Sequence, residues 1–210
     1  MLIYPPSYEC RRLKMRFSAV MVWGLWCALL AGARADGMDE IPAQINAAEY
    51  SIEILKSKRL LLIKQGDRVA RRFKAATGNG GVGEKRIRGD NKTPVGIYHI
   101  TGFNEGSAFD IFMRLNYPNL KDGFFGLQRA LITREEFDHI VDAQRRDALP
   151  PQNTPLGGAI GIHGIGEETV DRVKIHQNID WTKGCIALTN REIRELRNFV
   201  DIGTLVVIRE

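Results

Sequence analysis

Two side chains in this sequence have the chemistry for covalent catalysis. They are Cys185, in "DWTKGCIALTN", and His163, which ends "AIGIH" 22 positions earlier. A thiol within reach of an imidazole passes its proton to the ring and attacks a carbonyl carbon, leaving a thioester. Gly184, directly before the cysteine, lets the backbone bend sharply or approach a ligand closely. The backbone N–H groups around Gly184 and Cys185 are then natural donors to a tetrahedral oxyanion. A buried, inert thiol is the competing reading, and spacing along the chain does not by itself place two side chains together.

Counting cysteines sharpens the choice. The chain has 210 residues and three cysteines, Cys10, Cys27 and Cys185. Residues 1–35 have the layout of a secretory signal: basic "RRLKMR", the apolar run "FSAVMVWGLWCALLAG", then Ala33-x-Ala35 with cleavage expected before Asp36. An uncleaved anchor is the alternative, although the run is short for a comfortable span. Cleavage removes Cys10 and Cys27 and leaves Cys185 alone in an exported protein, where cysteines usually come in bridged pairs.

Charge follows the same cut. The chain carries 30 Lys+Arg and 25 Asp+Glu. Five basic residues (Arg11, Arg12, Lys14, Arg16, Arg34) and Glu9 lie in residues 1–35, so 25 basic and 24 acidic residues remain. A net charge of +1 gives no footprint for nucleic acid. The expected location is the periplasm or cell envelope, with membrane contact only through an uncleaved signal.

The elements that must position the pair read as one mainly β domain. "SIEILKS", "RLLLIKQ" and "VARRFKAAT" are short strands in an antiparallel meander. "GIYHITGF", "SAFDIFMRLNYP", "AIGIHG" and "GTLVVI" are further strands. Capping boxes at Thr133/Glu136 and Thr189/Glu192 start two helices, "REEFDHIVDAQRR" and "NREIRELRNFV". The spacer "DRVKIHQNIDW" reads as a loop. "GNGGVGEKRIRGD" lacks the Gly-Lys-Ser/Thr of a phosphate loop, because Gly83 is followed by Glu84 and Lys85. No His-Glu-x-x-His or paired-histidine spacing calls for a metal, and thiol chemistry needs no cofactor.

"HGIG" followed by "WTKGCIALTN" resembles the signature of the L,D-transpeptidase catalytic domain, a family of exported peptidoglycan-modifying cysteine enzymes. "GDNKTPVGIYHI" and "FMRLNYPN" are similar to other blocks of that domain, in the expected order. The resemblance covers residues 49–209, after a short segment at 36–48. It implies a mainly β, sandwich-like fold with a few helices, Cys185 as nucleophile and His163 as general base. Thr182, Lys183 and Gly184 fall beside the catalytic pair and its oxyanion. Arg86, Arg88 and Gly164 are candidates for substrate contact.

The implied reaction attacks the third-position diamino acid of a stem tetrapeptide and passes the acyl group to an amine. That amine belongs to another stem or to a peptidoglycan-linked protein. Water as acceptor would make a peptidase or amidase, and a non-enzymatic wall-binding module is the alternative of a different class. Two departures from the family pattern concern the acceptor: Lys183 where many members have histidine, and Ala187 where many have arginine. His139 and His176 read as surface or loop residues, and His99 as part of a cleft wall. Asp180 and Trp181 read as supports of the nucleophile loop.

Overall fold

The computed structural model describes residues 49–210, so the expected signal segment, Cys10, Cys27 and all of 36–48 lie outside the described residues. Eight strands form one sheet in the order β3-β2-β1-β8-β4-β5-β6-β7. β1 (Tyr50–Leu55), β2 (Leu60–Gln65) and β3 (Arg68–Lys74) make the expected antiparallel meander. Ile52 and Ile54 of β1 are fully buried between half-exposed neighbours, which is the alternation of a strand with one face on a core.

β4 (Gly96–Ser107) and β5 (Asp110–Leu115) form a hairpin, β6 (Gly161–His163) joins β5, and β7 (Ile186–Ala187) runs parallel to β6. β8 (Leu205–Arg209) lies between β1, to which it is parallel, and β4. The stretch read as one strand over 107–118 begins at Asp110, because the chain turns back after Ser107.

The sheet curls until its two ends meet. Just beyond β3, Ala76 exchanges backbone hydrogen bonds with Ala187 of β7, at 3.0 and 2.8 Å. Thr182 N–H donates to the Thr77 carbonyl at 3.1 Å, and Asn79 N–H donates to the Thr182 carbonyl at 2.9 Å. The enclosed core runs from Ile52, Leu61 and Ile63 through Tyr98, Ile100 and Met113 to Ile162 and Ile186. This is the sandwich-like, mainly β architecture expected.

Among the described residues four helices lie around it: α1 (Leu120–Gln128), α2 (Arg134–Arg145), α3 (Val170–Asn178) and α4 (Asn190–Arg197). Both expected capping boxes are present, at Thr133/Glu136 and Thr189/Glu192. α4 buries Ile193 and Leu196 against the core and faces solvent with its Arg and Glu residues.

Two helices differ from the sequence reading. α1 contains Gly123 and Gly126, which lower its intrinsic propensity. It forms because Asn119 and Asp122 complete a capping box and the glycines admit α2 and Leu156 closely. A Cβ at Gly126 would lie 2.8 Å from Leu156. α3 replaces the expected loop at "DRVKIHQN". Thr169 caps it by accepting from Arg172 N–H, and only His176 on it is buried, so it has no apolar stripe to read.

Candidate active site

β6 and β7 are three and two residues long, yet their register creates the site. Ile162 pairs with Ile186 and His163 with Ala187, so Cys185, one residue before β7, falls beside Gly161. Side chains of paired residues share a face and alternate along the strand. The Cys185 thiol and the His163 imidazole therefore stand on the same face of adjacent strands, as diagonal neighbours.

His163 is buried among aromatic rings. Phe109 lies 4.6 Å from it, Trp181 6.0 Å edge-on and Phe112 6.2 Å stacked, measured between centroids. Its Nδ1 is 2.6 Å from the Gly164 carbonyl. A carbonyl only accepts, so Nδ1 carries the hydrogen and Nε2 keeps the basic lone pair. Burial pulls the imidazole below its ordinary value of 6.5; the Gly164 carbonyl opposes this, and nearby His176 adds to it. Gly164 itself is packed into the protein. A Cβ there would lie 2.6 Å from both Asn190 Oδ1 and the Phe109 carbonyl, so its part is to seat the imidazole.

The nucleophile turn is wound on Thr182. The buried Thr182 hydroxyl donates to the Cys185 carbonyl at 2.7 Å and accepts from Gly184 N–H at 3.1 Å. The Gly184 amide is thus spent inside the turn. Gly184 has φ +122, and a Cβ on it would lie 2.8 Å from the Lys92 carbonyl. Thr93 Oγ1 accepts from Gly78 N–H at 2.9 Å and donates to the Cys185 carbonyl at 3.5 Å. The "KTPVG" block is therefore the back wall of the nucleophile turn. Lys183 is exposed.

The thiol donates to the Ala159 carbonyl at 3.4 Å. Ala159 has φ +55, the left-handed region a side chain rarely adopts. It is fixed there by Gln152, whose Oε1 accepts from Ala159 N–H at 2.7 Å while Nε2 donates to the Tyr117 and Pro150 carbonyls. Burial pushes the Cys185 thiol above its ordinary 9.0, against smaller opposing effects of the Gly161 amide and the Lys85 ammonium. Both shifts favour the neutral forms of thiol and imidazole.

Lys85 is a buried cation near the nucleophile that the sequence reading passed over. It pairs with Asp90 at 2.9 Å. Arg86 stacks over Phe125 at 3.7 Å and pairs with Glu84. Arg88 donates to the Thr154 carbonyl at 3.1 Å. Both expected substrate-binding arginines, which lie on the glycine-rich loop, are thus engaged by protein groups. His99 is half-buried in a groove with Thr101 and Asn116, and His139 is exposed on α2. His176 is not the polar loop residue expected, since it is 1% exposed inside α3. Among the described residues no group of three His, Cys, Asp or Glu could hold a metal.

Arg59 is a second residue that sequence reasoning missed. It sits in the β1–β2 turn at φ +50 and reaches the C-terminus of α3. Its guanidinium donates to the carbonyls of His176 at 2.7 Å, Ile179 at 2.9 Å and Gln177 at 3.0 Å. It also pairs with Asp180 at 3.2 Å, and Asp180 in turn accepts from Thr77 N–H at 2.7 Å. A cation on the last carbonyls of a helix complements its dipole. Here it also fixes the chain five residues before the nucleophile. Arg59→Ala is expected to cost about 2 kcal/mol in thermal unfolding and to slow turnover more than that loss alone explains.

Comparison with known proteins bears on the family and the fold. The family model for the L,D-transpeptidase catalytic domain (YkuD) matches residues 49–208. Among solved structures, the helical cell shape determining protein Pgp2 from Campylobacter jejuni is 26% identical, with a TM-score of 0.51. That match covers 77% of this chain and 47% of Pgp2, so the chain spans about half of its length. An L,D-transpeptidase from Mycobacterium smegmatis is 12% identical over 78% of this chain and 59% of its own, with a TM-score of 0.46. One from Xylanimonas cellulosilytica is 17% identical over 77% and 61%, with a TM-score of 0.43. None of the curated proteins searched matches the chain.

Proposed function

Since the chain belongs to the L,D-transpeptidase catalytic-domain family, we propose that it is an exported cysteine acyltransferase acting on peptidoglycan stem tetrapeptides. The observation that carries this reading is the placement of Cys185 and His163 on one face of β6 and β7, with Nδ1 of the imidazole committed to Gly164.

His163 takes the thiol proton at Nε2 as Sγ attacks the carbonyl of the third-position diamino acid. The Cys185 amide donates to the oxyanion. The C–N bond to D-alanine breaks, the imidazolium protonates the departing amine, and a thioester to Cys185 remains. An amine of a neighbouring stem, or of a peptidoglycan-linked protein, then gives its proton to His163 and attacks the thioester. A new amide forms and the thiol is restored. Attack by water follows the same route to a tripeptide.

The test incubates the purified chain, without residues 1–35, with a disaccharide tetrapeptide and an amine acceptor, followed by mass spectrometry. The expected products are free D-alanine, an acyl adduct on Cys185 and an amide to the acceptor. Tripeptide as the sole product would assign a hydrolase. No adduct and no turnover would overturn the reading.

A further inference from the structure

The register that joins the thiol and imidazole extends across two more strands. Gly161 lies beside Cys185, Arg114 of β5 pairs with Gly161, and Gly102 of β4 pairs with Arg114. Paired residues share a face, so the Arg114 side chain rises on the same surface as the thiol, two strands away. Strands lie 4.7–4.9 Å apart, which puts the two backbones about 10 Å from one another. Gly161, between them, has no side chain. The ring of Phe112 lies over it, with Cζ 2.6 Å from where a Cβ would stand.

Arg114 differs from the basic residues around it. Arg194 is paired with Asp110, Arg197 with Glu105 and Lys85 with Asp90. Arg114 is exposed and makes no ion pair or side-chain hydrogen bond among the described residues. It lines a groove of about 290 Å³ with Thr101, Phe103, Asn104, Phe112 and Leu149, a setting without a carboxylate. Ala187, on the other side of the imidazole, brings no charge.

We infer that Arg114 is the carboxylate anchor of the acyl-donor site, holding the α-carboxylate of the residue that leaves. This rests on the acyl-transfer reading above. The reach supports it. An attacked carbonyl sits roughly 3–3.5 Å from Sγ, and one extended residue covers about 3.3 Å more. A carboxylate one residue beyond the scissile bond therefore falls over the Phe112 ring, within a fork that pairs carboxylates bidentately. The ligand class is a peptide with a free C-terminal carboxylate one residue past the bond that breaks.

The experiment has two arms, each run on the wild type, Arg114→Ala, Arg114→Lys and Lys183→Ala. The first compares the rates at which iodoacetate and iodoacetamide alkylate Cys185, at low and high salt. Arg114→Ala is expected to lower the iodoacetate-to-iodoacetamide ratio roughly 3- to 5-fold, as does high salt on the wild type. The second compares acylation by the tetrapeptide with acylation by its C-terminal amide. The wild type is expected to prefer the acid about 10-fold. Arg114→Ala loses that preference with little change toward the amide, and Arg114→Lys keeps part of it.

Wild-type ratios in Arg114→Ala, or losses that follow Lys183→Ala instead, would overturn the inference. If neither peptide acylates the wild type while the alkylation ratio still falls in Arg114→Ala, the proposed function fails and takes the donor-site role with it, leaving Arg114 as an anion contact beside the thiol.

Discussion

Cys185→Ala is expected to abolish the acyl adduct and to lower turnover on the order of 10⁴- to 10⁶-fold, with almost no change in thermal unfolding. The two outcomes separate because the turn is held by groups other than the thiol. The Thr182 hydroxyl closes it, Thr93 and the Lys92 carbonyl back it, and backbone bonds from Thr77 and Asn79 moor it to the end of β3. What alanine removes is a sulfur atom and one weak bond to the Ala159 carbonyl. A large loss of stability would mean that the thiol is a packing residue. Retained turnover would assign the chemistry to another nucleophile.

The second large effect belongs to His163. Replacement by glutamine is expected to reduce acylation about 10³-fold, within the usual range for loss of a general base. The pH profile carries more information than the magnitude. Burial shifts the imidazole down from 6.5 and the thiol up from 9.0, which favours a neutral resting pair over a stored thiolate. Wild-type kcat/KM should stay level through neutral pH and fall only below 6.5, once the ring takes up a proton and ceases to be a base. In His163→Gln that acid limb disappears, and the rate climbs with pH toward and beyond 9 as the thiol ionises unaided. A wild-type thiol that alkylates with a midpoint well below 9 would establish a thiolate–imidazolium pair instead.

The sequence made legible whatever depends on neighbours along the chain. The β1–β3 meander is visible in alternation, two helix starts in their capping boxes, and the nucleophile turn in Thr182, Gly184 and Cys185. Pairing between distant segments was not legible. β6 and β7 are too short to show a period, so only the folded register reveals that Cys185 and His163 share a face. The same limit hid Arg114, which reads as an ordinary outward residue of a strand until three neighbouring strands are laid beside it. Arg59 acts on carbonyls more than 100 residues away, and Lys85 was masked by its place in a glycine-rich stretch. α1 and α3 were hidden for the opposite reason. Their local sequences argue against regular helix, and a cap with tertiary packing overrides that preference.

The position of β8 has a consequence for how the molecule comes into being. β8 lies in the interior of the sheet, so a chain lacking Leu205–Arg209 leaves β1 and β4 with facing raw edges. Pairing across such separations is slow, because the loop must close before any contact repays it. The wall bearing Thr93 hangs from β4, and the site gains its full support only when β8 slots in beside it. Full reactivity of the Cys185 thiol is thereby expected only once β8 has paired with both β1 and β4.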